Sequence, residues 1–188
     1  FYFKRYTKNL FGYDKSKSMI KIAKQKDINK SISFHSSKKS IFNKEIKFDV
    51  VVMLFDVFSY LKNNDDINKE LKFIKSIMKK NGLFIFQFWY GPSVMHTKPK
   101  SYNKKITMNK NIITKKCISN LSLNLNLVNV KYKFLDKNKK NLFSENHTIR
   151  YFFKDEINLF LEHNHFKQLS LTYLDSLSSK IKVTNQYS

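Results

Sequence analysis

The stretch GYDKSKSMIKIAKQK, residues 12 to 26, sets one carboxylate, Asp14, between the end of a strand pattern and an amphipathic helix. A carboxylate at such a handover offers two acceptor oxygens to a pair of neighbouring hydroxyls, which is the chemistry of holding a ribose. The phosphate-cradling glycine loop that usually precedes such an Asp is not in this chain, whose only glycines are Gly12, Gly82 and Gly91. A second group of chemical interest is HTIRYFF, residues 147 to 153. If extended, it sets His147, Ile149 and Tyr151 on one face and Thr148, Arg150 and Phe152 on the other. His163 and His165 have the residue type of metal ligands, but no carboxylate or cysteine set accompanies them. They read as a turn between a helix and a strand, and no metal site is expected.

Composition limits the classes open to the chain. Its 188 residues suffice for one domain with a single core, and 41% hydrophobic and 15% aromatic content argues against disorder. The apolar runs VVMLFDVFSYL and GLFIFQFW are too short to span a bilayer, so no membrane partner is expected. The one cysteine, Cys117, allows no internal disulfide and fits a reducing compartment, read as cytoplasmic. The chain begins at Phe1, which reads as a fragment or a processed product. Its formal charge of +22 would suit a polyanion. Yet nearly all of that charge is Lys among abundant Asn, Ile and Phe, with Arg only at Arg5 and Arg150. Arg is the residue suited to bidentate phosphate and guanine contacts, so a nucleic-acid partner is not expected.

The elements that must position these groups follow from periodicity. Residues 9 to 13 read as a strand ending at Asp14, and Ser16 caps a helix with Met19, Ile22 and Ala23 on one face. Residues 31 to 35 read as a second strand, followed by a loop or helical turn. FDVVVMLFDVFSYL opens with a continuous apolar run, the mark of a strand covered on both faces. A helix then starts with Asn64, Asp65 and Asp66 as cap candidates, carries Ile67, Leu71, Ile74 and Met78, and closes on Lys79, Lys80 and Gly82. Residues 83 to 89 form another buried strand. Alternation of strand and helix is the signature of a doubly wound α/β sheet. Residues 95 to 118 are polar without a clear period. From Leu121 alternate residues are apolar, with a slip at Leu127–Val128 that implies a bulge or two antiparallel strands. A helix with Ile157, Phe160 and Leu161 inward and a closing strand from Phe166 end the pattern.

Four stretches, in this order and spacing, resemble the class I S-adenosylmethionine-dependent methyltransferases, and most closely small bacterial members associated with sugar or polysaccharide biosynthesis. They are GYDKSKSMIKIAK, FDVVVMLFDVFSYL, LKFIKSIMKKNGLFIFQFWYGPSV and ENHTIRYFFKDEINLFLEHNHF, together spanning about Phe11 to Phe166. The resemblance implies a Rossmann-like doubly wound sheet, mostly parallel with antiparallel C-terminal strands, lacking the family's first strand and Gly-rich loop. It implies one incomplete domain over 1–188, with 95–150 on the substrate side. The absent strand would leave its two neighbours with unpaired edges, each lost hydrogen bond costing about 1–3 kcal/mol.

By the same resemblance S-adenosyl-L-methionine is the methyl donor. Asp14 would accept both ribose hydroxyls, Met19 would pack on the adenine, and Ser37 would stand where the family has an adenine-binding Asp. Leu54 and Phe55 would border the methionine part. Gln87, where the family has Asp, together with Trp89, Arg150 and Tyr60, would face a small-molecule acceptor such as an amino or hydroxyl group of a sugar nucleotide. Methyl transfer is an in-line displacement from a sulfonium, so alignment supplies much of its acceleration. A base is required only where the acceptor loses a proton, and His147, Tyr151 and Tyr90 are the candidates, with Tyr60 beside them. Two other readings stand against this one: a non-catalytic remnant of such an enzyme, and a basic module for RNA or another polyanion.

Overall fold

The computed structural model describes residues 2–7, 9–42, 46–108 and 111–172. The chain divides into two compact units, one built from 1–49 with 77–82 and the other from 50–76 with 83–188.

In the first unit β1 (Leu10–Tyr13) and β2 (Ile32–His35) pair in parallel, from Leu10 opposite Ile32 to Tyr13 opposite His35. Helix α1 (Lys17–Lys26) joins them, capped as expected by Ser16, whose hydroxyl accepts from the Met19 amide at 3.3 Å. Its buried residue is Ile20, while Met19 and Ile22 are exposed. Of the face shared by Met19, Ile22 and Ala23, the first two are thus turned outward and Ala23 is half-buried. The reason lies at the helix end, where Asp27 is 2% exposed and accepts from Lys4, from the Ser31 hydroxyl at 3.0 Å and from the Ile32 amide at 2.8 Å. Ile20 and Asp27 are seven residues apart, two helical turns, so anchoring Asp27 inward carries Ile20 with it. The ammonium of Lys4 is the main cause that holds the Asp27 carboxyl below its ordinary range, and burial opposes it. Gly12 is required by close approach, since a Cβ there would lie 2.7 Å from the Phe34 ring.

A single helical turn, α2 (Lys39–Phe42), precedes β3 (Phe48–Met53). Within the first unit the Phe48 ring meets Phe11 edge-on at 5.0 Å, and Lys79 bonds the Asp49 carboxylate at 2.9 and 3.0 Å.

The second unit holds most of α3 (Asn64–Ile77) and the end of β4 (Met78–Phe86), the strand hydrogen-bonded to β3. The cap of α3 is Asn63, one residue ahead of the expected group, with its Oδ1 accepting from the Asp66 amide at 2.8 Å. Helix α3 ends at Ile77 and β4 begins at Met78, so Gly82 does not close the helix, and Asn81, in the left-handed region at φ 64°, lies inside β4. Gly82 is instead a close-approach residue, where a Cβ would stand 3.1 and 3.2 Å from the Lys79 and Asp49 carbonyl oxygens.

Ile67 and Leu71 of α3 pack with Phe58, Phe152, Ile157 and Leu161 in one core, against which Met53, Phe84 and Phe86 lie. The opposite face carries Val50, Leu83 and Ile85, each at least 40% exposed. Burial of β3 and β4 on both faces is thus not observed among the described residues. Only the face toward α3 and α5 (Lys154–His163) is covered.

Beyond β5 (Trp89–Tyr90) and α4 (Gly91–His96) the chain forms β6 (Tyr102–Met108), β7 (Asn111–Ser122), β8 (Leu127–Leu135) and β9 (Asn141–Phe152). These give a sheet ordered β5-β9-β8-β7-β6 in which β6 to β9 are antiparallel and β5 joins β9 in parallel. The slip at Leu127–Val128 reflects two antiparallel strands, with both residues at the start of β8, just after the turn at 123–126. Leu123 and Leu125 lie exposed in the turn, which closes on Asn126 at φ 53°. The β6–β7 hairpin was illegible because Lys104 and Lys115 interrupt the face that carries the buried Ile113 and Cys117, while polar pairs occupy much of the other. The expected closing strand is absent from 166–172, where Leu169 is exposed, and its last residues lie outside the described ones.

Candidate functional site

Asp14 sits directly after β1, at the carboxyl edge of a parallel pair, where ligands of such sheets bind. Its amide donates to the His35 carbonyl at 3.2 Å, and its Oδ1 accepts from the Ser16 amide at 2.8 Å. One carboxylate oxygen thereby starts α1, and Oδ2 takes no hydrogen bond among the described residues. This turn bond occupies one oxygen and leaves the other for another partner. Because Tyr13 stands opposite His35, the segment carrying Ser37 leaves the sheet at the same edge. Ser37 and Met19 are both exposed.

In the second unit the chain turns sharply after β3. Phe55 and Asp56 both occupy the left-handed region, at φ 58° and 57°, which is a strained state for side chains of their size. Gln87 fixes this turn: its amide donates to the Met53 carbonyl at 3.0 Å, and its Oε1 accepts from the Phe55 amide at 2.6 Å. The side-chain oxygen of Gln87 is thereby oriented toward backbone, and its NH₂ remains for an acceptor. Phe55 is 87% exposed, which rules out a core-filling role, while Leu54 is half-buried. Trp89 donates from its indole to Asp56 Oδ2 at 3.2 Å and from its amide to the buried Ser59 hydroxyl at 2.8 Å. Ser59 was missed by the sequence reading, since a lone Ser in an apolar run carries no periodic signal.

The short 3₁₀ turn Val57–Tyr60 presents Tyr60 to β9. Its hydroxyl lies 3.0 Å from His147 Nδ1, and Glu145 Oε2 lies 3.6 Å from His147 Nε2. Tyr132 flanks the same imidazole, ring centroids 5.6 Å apart, and Lys115 stands 3.8 Å above the Tyr132 ring. Burial, then the charges of Asp56 and Glu145, push the Tyr60 phenol above its ordinary range; burial does the same for Tyr132. Both are neutral hydroxyls near neutral pH.

His147 and Tyr151 share a face of β9 as expected, but packing separates their surroundings. Tyr151 is wholly buried among Val94, Cys117, Val128 and Val130, and its hydroxyl has no partner among the described residues. Tyr90 is half-buried, its ring edge toward Phe88 at 6.5 Å. Arg150 pairs with Glu156 at 2.5 Å and donates to Asn64 Oδ1 at 2.9 Å. Its guanidinium lies over Phe152 and Phe160, tying the start of α3 to α5. It stands as a structural staple. His165 takes φ 59° in the turn after α5, and no group of three or more potential metal ligands exists among the described residues.

Residues 1–86 match the family model described as Methyltransferase domain. The chain is similar in structure to an S-adenosylmethionine-dependent methyltransferase from Clostridium acetobutylicum (TM-score 0.65, 21% identity, 84% of this chain and 63% of that one). It is also similar to S-adenosylmethionine-bound CalS10, an amino pentose methyltransferase from Micromonospora echinaspora (TM-score 0.67, 13% identity, 86% and 67%). A third is the sugar N-methyltransferase KedS8 from Streptoalloteichus (TM-score 0.66, 14% identity, 82% and 61%). The fold is that of the class I methyltransferases. Among the described residues β1 pairs with β2 and β3 with β4. The chain spans about two thirds or less of the length of these solved methyltransferases. No curated protein matches it.

Proposed function

We propose that the chain carries the donor- and acceptor-binding parts of an S-adenosylmethionine-dependent methyltransferase acting on a small-molecule acceptor, an amino or hydroxyl group of a sugar nucleotide. The observation that carries this reading is Asp14, a half-buried carboxylate at the carboxyl edge of a parallel strand pair with one oxygen uncommitted. That geometry fits a ribose: Oδ1 is already fixed by the Ser16 amide, so Oδ2 is pre-oriented toward a hydroxyl. Exposed Met19 offers an apolar surface for the adenine, and Ser37 a hydroxyl for its amino group. The strained turn at Leu54 and Phe55 supplies backbone and an exposed ring for the methionine part, held in shape by Gln87. Trp89 steadies the turn through Asp56. The donor supplies an activated methyl group; the protein's task is alignment, and proton removal where the acceptor needs it. The sugar acceptor is favoured by the names of two similar structures, an amino pentose methyltransferase and a sugar N-methyltransferase.

The test is calorimetric titration of the chain with S-adenosylmethionine and its demethylated product. Both should bind, and Asp14→Asn should weaken each by about tenfold or more, since a charge-assisted hydrogen bond contributes on the order of 1.5–3 kcal/mol. Equal affinity of the parent and Asp14→Asn proteins would sink the assignment of the ribose site.

A further inference from the structure

We infer that Tyr60 and His147, backed by Glu145, form a proton-accepting relay that takes the proton released by the methyl acceptor; this rests on the methyl-transfer reading above. The three groups are linked in a line. Tyr60 Oη lies 3.0 Å from His147 Nδ1, and His147 Nε2 lies 3.6 Å from Glu145 Oε2. Each comes from rigid structure. Tyr60 ends the 3₁₀ turn that follows the strained residues Phe55 and Asp56, and His147 and Glu145 lie on one face of β9, opposite Val130 and Tyr132 of β8. The Tyr132 ring closes one side of the imidazole, and the Tyr60 ring meets it edge-on at 6.0 Å. Tyr60 keeps 40% of its surface open, so an incoming group can reach it.

The carboxylate beside Nε2 favours the tautomer with its proton on that nitrogen, leaving Nδ1 as an acceptor for the Tyr60 hydroxyl. The raised Tyr60 phenol agrees with this direction, because it stays protonated and donates to the imidazole.

The reaction then balances as follows. The acceptor's lone pair forms the new bond to the methyl carbon. The carbon–sulfur bond breaks with its electron pair going to the sulfonium sulfur, which becomes a neutral thioether. The acceptor's proton passes to Tyr60 Oη as the phenol's own proton passes to His147 Nδ1, and the resulting imidazolium is paired with Glu145. Nothing else is consumed. The relay serves acceptors that must lose a proton, amines and hydroxyls, and has little to offer a thiolate. His147 acts through Tyr60 and is in that sense a positioning and proton-holding residue.

The test compares the parent chain with Tyr60→Phe and His147→Asn on three probes: glucosamine, glucose and 1-thioglucose. For the amine or hydroxyl probe that the parent methylates, both variants should lose about 100- to 1,000-fold in kcat with KM within about threefold, as general-base removal does. The rate on 1-thioglucose and the calorimetric affinity for S-adenosylmethionine should stay within about twofold. In nitrogen-15 spectra His147 should show Nε2 protonated and Nδ1 bare, with Nδ1 shifting in Tyr60→Phe. Undiminished amine and hydroxyl rates in the variants, or equal losses on the thiol, overturn the relay. So does a parent that binds the donor and methylates neither amine nor hydroxyl. A parent that binds no donor overturns the methyl-transfer reading instead, and the nitrogen-15 result then still reports whether the hydrogen-bonded pair exists.

Discussion

A buried phenol without a hydrogen-bond partner carries a desolvation cost, and Tyr151 is such a residue. Wholly enclosed by Val94, Cys117, Val128 and Val130, its hydroxyl meets no acceptor among the described residues, and burial pushes its pKa up. Replacing it by Phe keeps the ring and removes the stranded oxygen. Tyr151→Phe is therefore expected to unfold at the same or a higher denaturant midpoint and to leave kcat unchanged; a loss of turnover at unchanged stability would restore the hydroxyl to a catalytic role. His147, four residues earlier on the same face, keeps both ring nitrogens engaged and partly open. Alternation along β9 put the two residues on one face, and that much was legible. Which of them is sealed depends on Val94 of α4 meeting Cys117 of β7 and Val128 and Val130 of β8 around Tyr151, and no local pattern records that. Arg150 teaches the same lesson, since its partner Glu156 is six residues away, across the β9–α5 corner.

At the scale of elements, the strand-helix order was readable through β4 because apolar periodicity changes from two to about 3.6 where strand passes to helix. Boundaries slipped by a residue where a side chain outcompeted composition. Asn63 caps α3 with both its oxygen and its amide bonded to Asp66, whereas Asn64 is turned to Arg150. Asn63→Ala is expected to cost about 1 kcal/mol, read as a lowered midpoint in chemical unfolding, and Asn64→Ala should cost α3 no cap. The β6–β7 hairpin had no such signal: its register pairs Asn103 with Lys116 and Lys105 with Thr114, polar against polar on the open face. An antiparallel pair exposed on one side can carry nearly any polar residue there, so period-two contrast vanishes.

For the whole molecule, charge makes a prediction independent of the fold. With 36 Lys and Arg against 14 Asp and Glu, the chain should bind RNA weakly and without base preference. Filter binding of two RNAs of opposite composition should give equal affinities at about 50 mM salt and near-complete release by about 200 mM. A clear preference for one RNA that survives the higher salt would make polyanion recognition a function in its own right. The described helices include none long and apolar enough to cross a membrane.

Sequence by itself determined the order of elements through β4, the carboxylate at the end of the first strand and the extended run that carries His147. These depend on residues close together in the chain, where side-chain periodicity and capping act directly. Tertiary structure alone decided that Tyr60 reaches His147 from 87 residues away, that Gln87 holds the Phe55 turn and that Arg150 is a staple. It also decided that β3 and β4 are covered on one face only among the described residues. Such outcomes turn on which surfaces meet after the chain has folded back, and the same Tyr, Gln or Arg in the same local sequence would be free to do otherwise.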